Sequence, residues 1–66
     1  MTLEQRLDNL GFDSSLVFTD SRTFTGYRVS RFSAKKLAVT NILTGFTHYL
    51  TADVAADYFD GMVVFA

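Results

Sequence analysis

The sequence predicts an α+β domain: a short N-terminal helix, an antiparallel sheet of three to four strands, and a second helix packed on one face. Three observations point there. Leu3, Leu7 and Leu10 recur at helical spacing near the start of the chain. Four β-branched and aromatic stretches follow, joined by connections of hairpin length, which favour antiparallel pairing over crossovers. Residues 51–61, TADVAADYFDG, then give the clearest local signal, a helix between an N-capping threonine and a closing glycine.

The first helix is expected over TLEQRLDNLG. Thr2 and Gln5 stand at capping-box spacing, which satisfies two orphan amides at a helix start. Glu4 suits the positive end of the helix dipole, Gly11 suits a left-handed residue that ends the helix, and Arg6 and Asp8 face solvent. Residues 15–20 read as a strand in which Leu16 and Phe18 alternate with Val17 and Thr19. Asp20 and Ser21 supply turn chemistry, and residues 23–32 form a longer strand. Alternation puts Tyr27, Val29 and Arg31 on one face and Arg28, Ser30 and Phe32 on the other. Arg28 and Arg31 share a face only if the strand bulges, for which Gly26 is one place. Residues 36–42 and 46–50 are the third and fourth strands, with Thr44 and Gly45 turning between them. In the second helix Val54, Ala55, Tyr58 and Phe59 form the apolar stripe. Residues 62–65 add an edge strand or dock as a hydrophobic tail. With no charge to protect an edge, they are the expected self-association surface of a homodimer.

Sixty-six residues make one domain, 1–66, with a small core. No cysteine is present, which excludes a disulfide framework and thiolate zinc sites; seven Phe and three Tyr supply the bulk instead. The first apolar positions are interrupted by Glu4 and Asp8, unlike a signal peptide, and no apolar run approaches the roughly eighteen residues of a membrane span. The expectation is a soluble, cytoplasmic protein with no membrane contact.

Charge is unevenly spread. Residues 21–36 hold Arg22, Arg28, Arg31, Lys35 and Lys36, five of the six basic residues, with no acid and with Phe24, Tyr27 and Phe32 among them. Cations with interleaved aromatics track a phosphate backbone and stack on bases, so Arg22, Tyr27, Arg28, Arg31, Lys35 and Lys36 are the candidate nucleic-acid-binding set. The plainer alternative is a surface strand with its aromatics inward and its arginines in water. The net charge of −1 means that any such binding is local. Asp53, Asp57 and Asp60, at i, i+4 and i+7 of the second helix, form an acidic face. Asp57 and Asp60 stand late in that helix, against its dipole, as a surface aimed at a basic partner would; a plain solvated face is the alternative.

His48 is the single histidine, without a spaced partner for nucleophilic, acid–base or metal chemistry. Gly11, Gly26, Gly45 and Gly61 build no phosphate loop. No cofactor, metal or catalytic residue is expected, and the reading is not an enzyme.

Gly26-Tyr27-Arg28, Thr44-Gly45, Thr51-Ala52-Asp53, Ala55-Ala56 and Tyr58 together resemble the three-strand-plus-helix DNA-binding domain of plant ethylene-response transcription factors. They are also similar to the arm-binding domains of phage tyrosine recombinases. That resemblance implies a sheet laid in the major groove and implicates Arg28, Arg31 and Lys36 in DNA contact. The strands here lack that family's tryptophans. Two functions are therefore expected. The first is a phage or mobile-element accessory protein, anti-CRISPR-like, that docks on a larger nucleic-acid-handling protein and inhibits or modulates it. The alternative is a small DNA-binding module using a basic, aromatic-rich sheet.

Overall fold

The computed structural model describes residues 2–65. Helix α1 (Leu3–Asp8) is followed by strands β1 (Ser15–Asp20), β2 (Thr25–Arg31), β3 (Leu37–Asn41) and β4 (Thr47–Leu50), then helix α2 (Ala52–Tyr58) and strand β5 (Val63–Phe65). The first four strands form an antiparallel meander. Helix α2 then carries the chain across one face, so that β5 pairs antiparallel with β1 and the sheet order is β4-β3-β2-β1-β5. The architecture is α+β as expected, with five strands instead of three or four. Residues 62–65 take the edge-strand alternative; Ala66 and the side chain of Phe65 lie outside the described residues.

Antiparallel partners share a face of the sheet. Leu16, Val29, Val39 and His48 lie in one such row, and Phe18, Tyr27 and Asn41 in another. Both helices pack on this side. The buried core is Leu7 of α1, Leu16 and Phe18 of β1, Val29 of β2, Leu37 and Val39 of β3, and Ala55 and Phe59 of the α2 end. Phe18 and Phe59 stack with ring centroids 4.2 Å apart, anchoring the end of α2 over β1, next to the β5 edge of the sheet. Val54 and Tyr58, expected in the apolar stripe, flank it and remain half exposed.

Helix α1 has the Thr2–Gln5 capping box in full. Its end differs from expectation: the helix stops at Asp8 with Asn9 as C-cap, and Gly11 does not adopt a left-handed conformation. The reason is Arg31. Its guanidinium donates to the carbonyls of Leu7 (2.9 Å), Asp8 (2.7 Å) and Leu10 (2.9 Å), and more distantly to those of Ser33 and Ala34. A cation on the free carbonyls of a helix C-terminus satisfies them and opposes the negative end of the dipole. A six-residue helix is too short to hold itself in water, so α1 depends on this clamp and on its contact with α2.

Two hairpin turns are built alike. The Asp20 carboxylate accepts from Arg22 N–H, and Phe24 N–H donates to the Asp20 carbonyl. The Asn41 side-chain oxygen likewise accepts from Leu43 N–H, and Gly45 N–H donates to the Asn41 carbonyl. The fifth residue is left-handed in both, φ +78° at Gly45 and +57° at Phe24. Glycine takes this conformation freely; for phenylalanine it costs about 1–2 kcal/mol.

Two measurements check these points. Arg31→Ala should lose about 2–3 kcal/mol of unfolding free energy in urea, and Arg31→Lys should recover only part, because an ammonium lacks the planar fork. Phe24→Gly should raise the unfolding free energy read from a urea titration, by up to about 1 kcal/mol once the added chain entropy of glycine is subtracted.

Candidate interaction site

The sheet separates charge. On the helical side Glu4, Asp8, Asp53, Asp57 and Asp60 are all exposed, and Arg6 is the one exposed cation on either helix. Among the described residues the only ion pair is Arg22 with Asp20, at 3.6 Å, and none of these five carboxylates has an ion-pair partner there. The expected acidic face is present, with one change. Helix α2 ends at Tyr58, so Asp60 stands in the turn beyond it, beside Gly61 at φ +83°. Thr51 has N-cap backbone geometry, but its hydroxyl donates to the Asp53 carboxylate instead of accepting a backbone N–H. That bond and the Val54 N–H hold the Asp53 carboxyl below its ordinary range. Asp20 is also held low, chiefly by the Arg22 backbone N–H, with the guanidinium adding to it.

The opposite face carries Ser15, Val17 and Thr19 of β1, Gly26, Arg28 and Ser30 of β2, Ala38 and Thr40 of β3, Thr47 and Tyr49 of β4, and Val63 of β5. None of these is buried. Phe32 and Tyr49 meet there with ring centroids 4.5 Å apart; between their strands β3 presents only Ala38, small enough to let the rings approach. Ile42 lies over Gly26, where an added Cβ would come within 3.2 Å of its Cδ1. The face holds no acid. Its cations are Arg28 near the centre and Lys36, two residues before Ala38, at the rim.

The six candidate nucleic-acid-binding residues are not brought together. Regular pairing of Gly26 with Thr19 leaves no bulge there, so Arg28 and Arg31 point to opposite faces. Arg31 is committed to α1, and Tyr27 sits under α2, edge-on to Tyr58 and Phe59. The Tyr58 hydroxyl beside it raises the Tyr27 phenol above its usual range, with burial adding to the shift. Arg22 lies at the β1–β2 turn and Lys35 and Lys36 at the β2–β3 turn, roughly 20 Å apart by the seven-residue length of β2. The face that remains is Arg28, Lys36, Phe32 and Tyr49. Alternation alone groups Arg28 with Phe32; Tyr49 joins them only through the β3–β4 register, which no local pattern reports.

His48 lies on the helical side, exposed, its ring 4.7 Å from that of Phe46. With Tyr27, Val39, Asn41, Phe46, Leu50, Val54 and Tyr58 it lines an open groove of about 200 Å³ between α2 and β4. Among the described residues no three His, Asp or Glu side chains gather as metal ligands, and no helix is long and apolar enough to cross a membrane. Comparison with protein-family models, curated proteins and solved structures finds no match.

Because Asp57 and Asp60 oppose the dipole and have no cation partner, Asp57→Asn with Asp60→Asn should leave the thermal midpoint unchanged or slightly raised. Asp20 and Asp53 behave oppositely. Their lowered folded values give stability that is present above the unfolded carboxylate range and is lost as pH falls through the folded values. Stability in a urea titration should therefore drop below about pH 4, with a flatter acid limb in Asp20→Asn and Asp53→Asn.

Proposed function

We propose that this chain is a non-enzymatic binding protein whose acidic helical layer docks on a basic, nucleic-acid-handling protein and inhibits or modulates it. The observation that carries the reading is the segregation of charge across the sheet. Five exposed carboxylates share the helical side, none of them ion-paired among the described residues, and Asp53, Asp57 and Asp60 are its core. An unneutralised acidic layer on a rigid support presents carboxylates much as a nucleic acid presents phosphates, so it competes for the same lysines and arginines. In this reading the chain is a phage or mobile-element accessory protein of anti-CRISPR-like style. Rim charges act chiefly on the association rate. Binding should therefore slow and weaken with added salt, and the triple variant Asp53→Asn, Asp57→Asn, Asp60→Asn should lose most of it while keeping its fold. The test is affinity capture with wild type and triple variant in parallel. Nucleic-acid-binding proteins retained only by wild type, and released by salt or by competing DNA, support the reading; identical capture by both chains rejects it.

A second reading is favoured by the acid-free sheet face: a small DNA-binding module. Arg28 and Lys36 would meet phosphates while Phe32 and Tyr49 stack on bases. This is also where the resemblance to sheet-reading DNA-binding domains leads. A mobility shift at low salt that is abolished by Arg28→Ala with Lys36→Ala supports it. No shift with single- or double-stranded DNA or RNA removes it.

A further inference from the structure

The sheet has two free edges, and they are unequal. In β3–β4 the hydrogen bond from Asn41 N–H to the Phe46 carbonyl fixes the phase of the ladder. Bonded and non-bonded pairs alternate in an antiparallel ladder, so His48 and Leu50 turn their backbone groups toward β3. Thr47 and Tyr49 turn theirs outward, leaving two N–H and two C=O groups free along the β4 edge. The same phase argument across β2 and β1, starting from Ile42 N–H on the Gly26 carbonyl, leaves only Val64 facing outward on β5. The expected self-association surface at residues 62–65 is thus the poorer of the two.

Edge strands are commonly guarded by lysine, proline, a bulge or a covering segment. Strand β4 has none of these, and its sequence THYL carries no formal charge at neutral pH. Exposed apolar side chains converge beside it from both faces: Phe46 at 62% exposure, Val54 and Tyr58 at 49% around the groove, and Tyr49 at 52% with Phe32 on the other side.

We infer that the β4 edge is the seat of a homodimer, in which two copies pair β4 antiparallel into one ten-stranded sheet. The outward groups are self-complementary. Thr47 and Tyr49 are two residues apart, so a two-fold axis through His48 pairs Thr47 of each copy with Tyr49 of the other and closes four backbone hydrogen bonds. The register needs no partner with a different sequence. Charge agrees: the four residues of this edge carry no formal charge, so β4 of one copy meets β4 of another without like charges on the paired strands. The two grooves then face each other across the axis, so that Phe46, Val54 and Tyr58 of both copies leave water together. Both helical layers fall on the same side, doubling the acidic surface. This inference stands independently of what that surface binds.

Sedimentation velocity on the purified chain over a range of concentrations should show a monomer–dimer equilibrium. Thr47→Pro removes an outward N–H that the fold itself does not use, and should leave a folded monomer. Thr47→Val, which also loses the 3.0 Å hydroxyl contact with Thr40 but keeps that N–H, should remain dimeric. The chain has no cysteine, so His48→Cys gives an unambiguous second measurement. Residues on the axis form a non-hydrogen-bonded pair with Cα atoms about 4.5 Å apart, within the span of a disulfide, so mild oxidation should link the dimer quantitatively. If Thr47→Pro fails to fold, the His48→Cys result decides. A wild-type monomer at every concentration, a dimer that persists in folded Thr47→Pro, or a His48→Cys chain that stays unlinked would each overturn the inference.

Discussion

The structure turns on the Arg31 guanidinium. It leaves the end of β2 on the helical side and closes the C-terminus of α1, while its longer contacts reach the β2–β3 turn. One side chain therefore ties together a helix of six residues, the central strand and the hairpin that leads into β3. The chain has no cysteine, and among the described residues no polar side chain is buried. The buried core there is eight apolar residues; α1 gives it Leu7, with Leu3 half-buried beside it. A helix that buries one leucine fully and another in part is weakly held by burial, since a fully buried leucine is worth only about 1.5–3 kcal/mol. The charged hydrogen bonds from Arg31 supply what packing lacks.

That commitment reshapes the surface chemistry. With Arg31 spent on α1 and Tyr27 under α2, the basic stretch loses two of its six candidate residues to architecture. What remains is split between two turns and one sheet face. The acids behave differently, because both helices lie on one side and bring Glu4 and Asp8 of α1 into the same layer as Asp53 and Asp57 of α2. The two ends of the sequence thus place their acids on the same side of the sheet, while its basic middle disperses.

Much of the fold was legible from short-range chemistry. The Thr2–Gln5 capping box, the Gly45 turn and the start of α2 rest on contacts within about four residues, and β1 shows as alternation along its own six residues. Helix α1 ends earlier than its leucine spacing implies because its stop is set from 23 residues away, by Arg31 on Asp8. The same distance hides the site. Phe32 meets Tyr49 only because β3 lies between them with an alanine at the right register, and β5 finds β1 only after α2 has crossed the sheet. Charge clustering in the sequence was a sound guide where a helix face preserves it, at Asp53 and Asp57. Along a strand it groups nothing, and alternation itself, unbroken at Gly26, sends Arg28 and Arg31 to opposite sides.

The apolar surplus follows from the same geometry. Almost half the residues are hydrophobic, yet two helices of six and seven residues cover only part of a five-stranded sheet. A helix rises about 1.5 Å per residue, so α2 spans roughly 10 Å, whereas five strands at about 4.8 Å spacing extend nearly twice that. Something must be left uncovered at one side. Phe59 anchors α2 over Phe18 of β1, on the β5 side of the sheet, and the shortfall therefore falls on β4. The groove, the exposed Phe46 and the half-exposed Val54 and Tyr58 are all consequences of that offset. The aromatic stack that builds the core thus also decides which edge of the sheet is left apolar, unguarded and open to pairing.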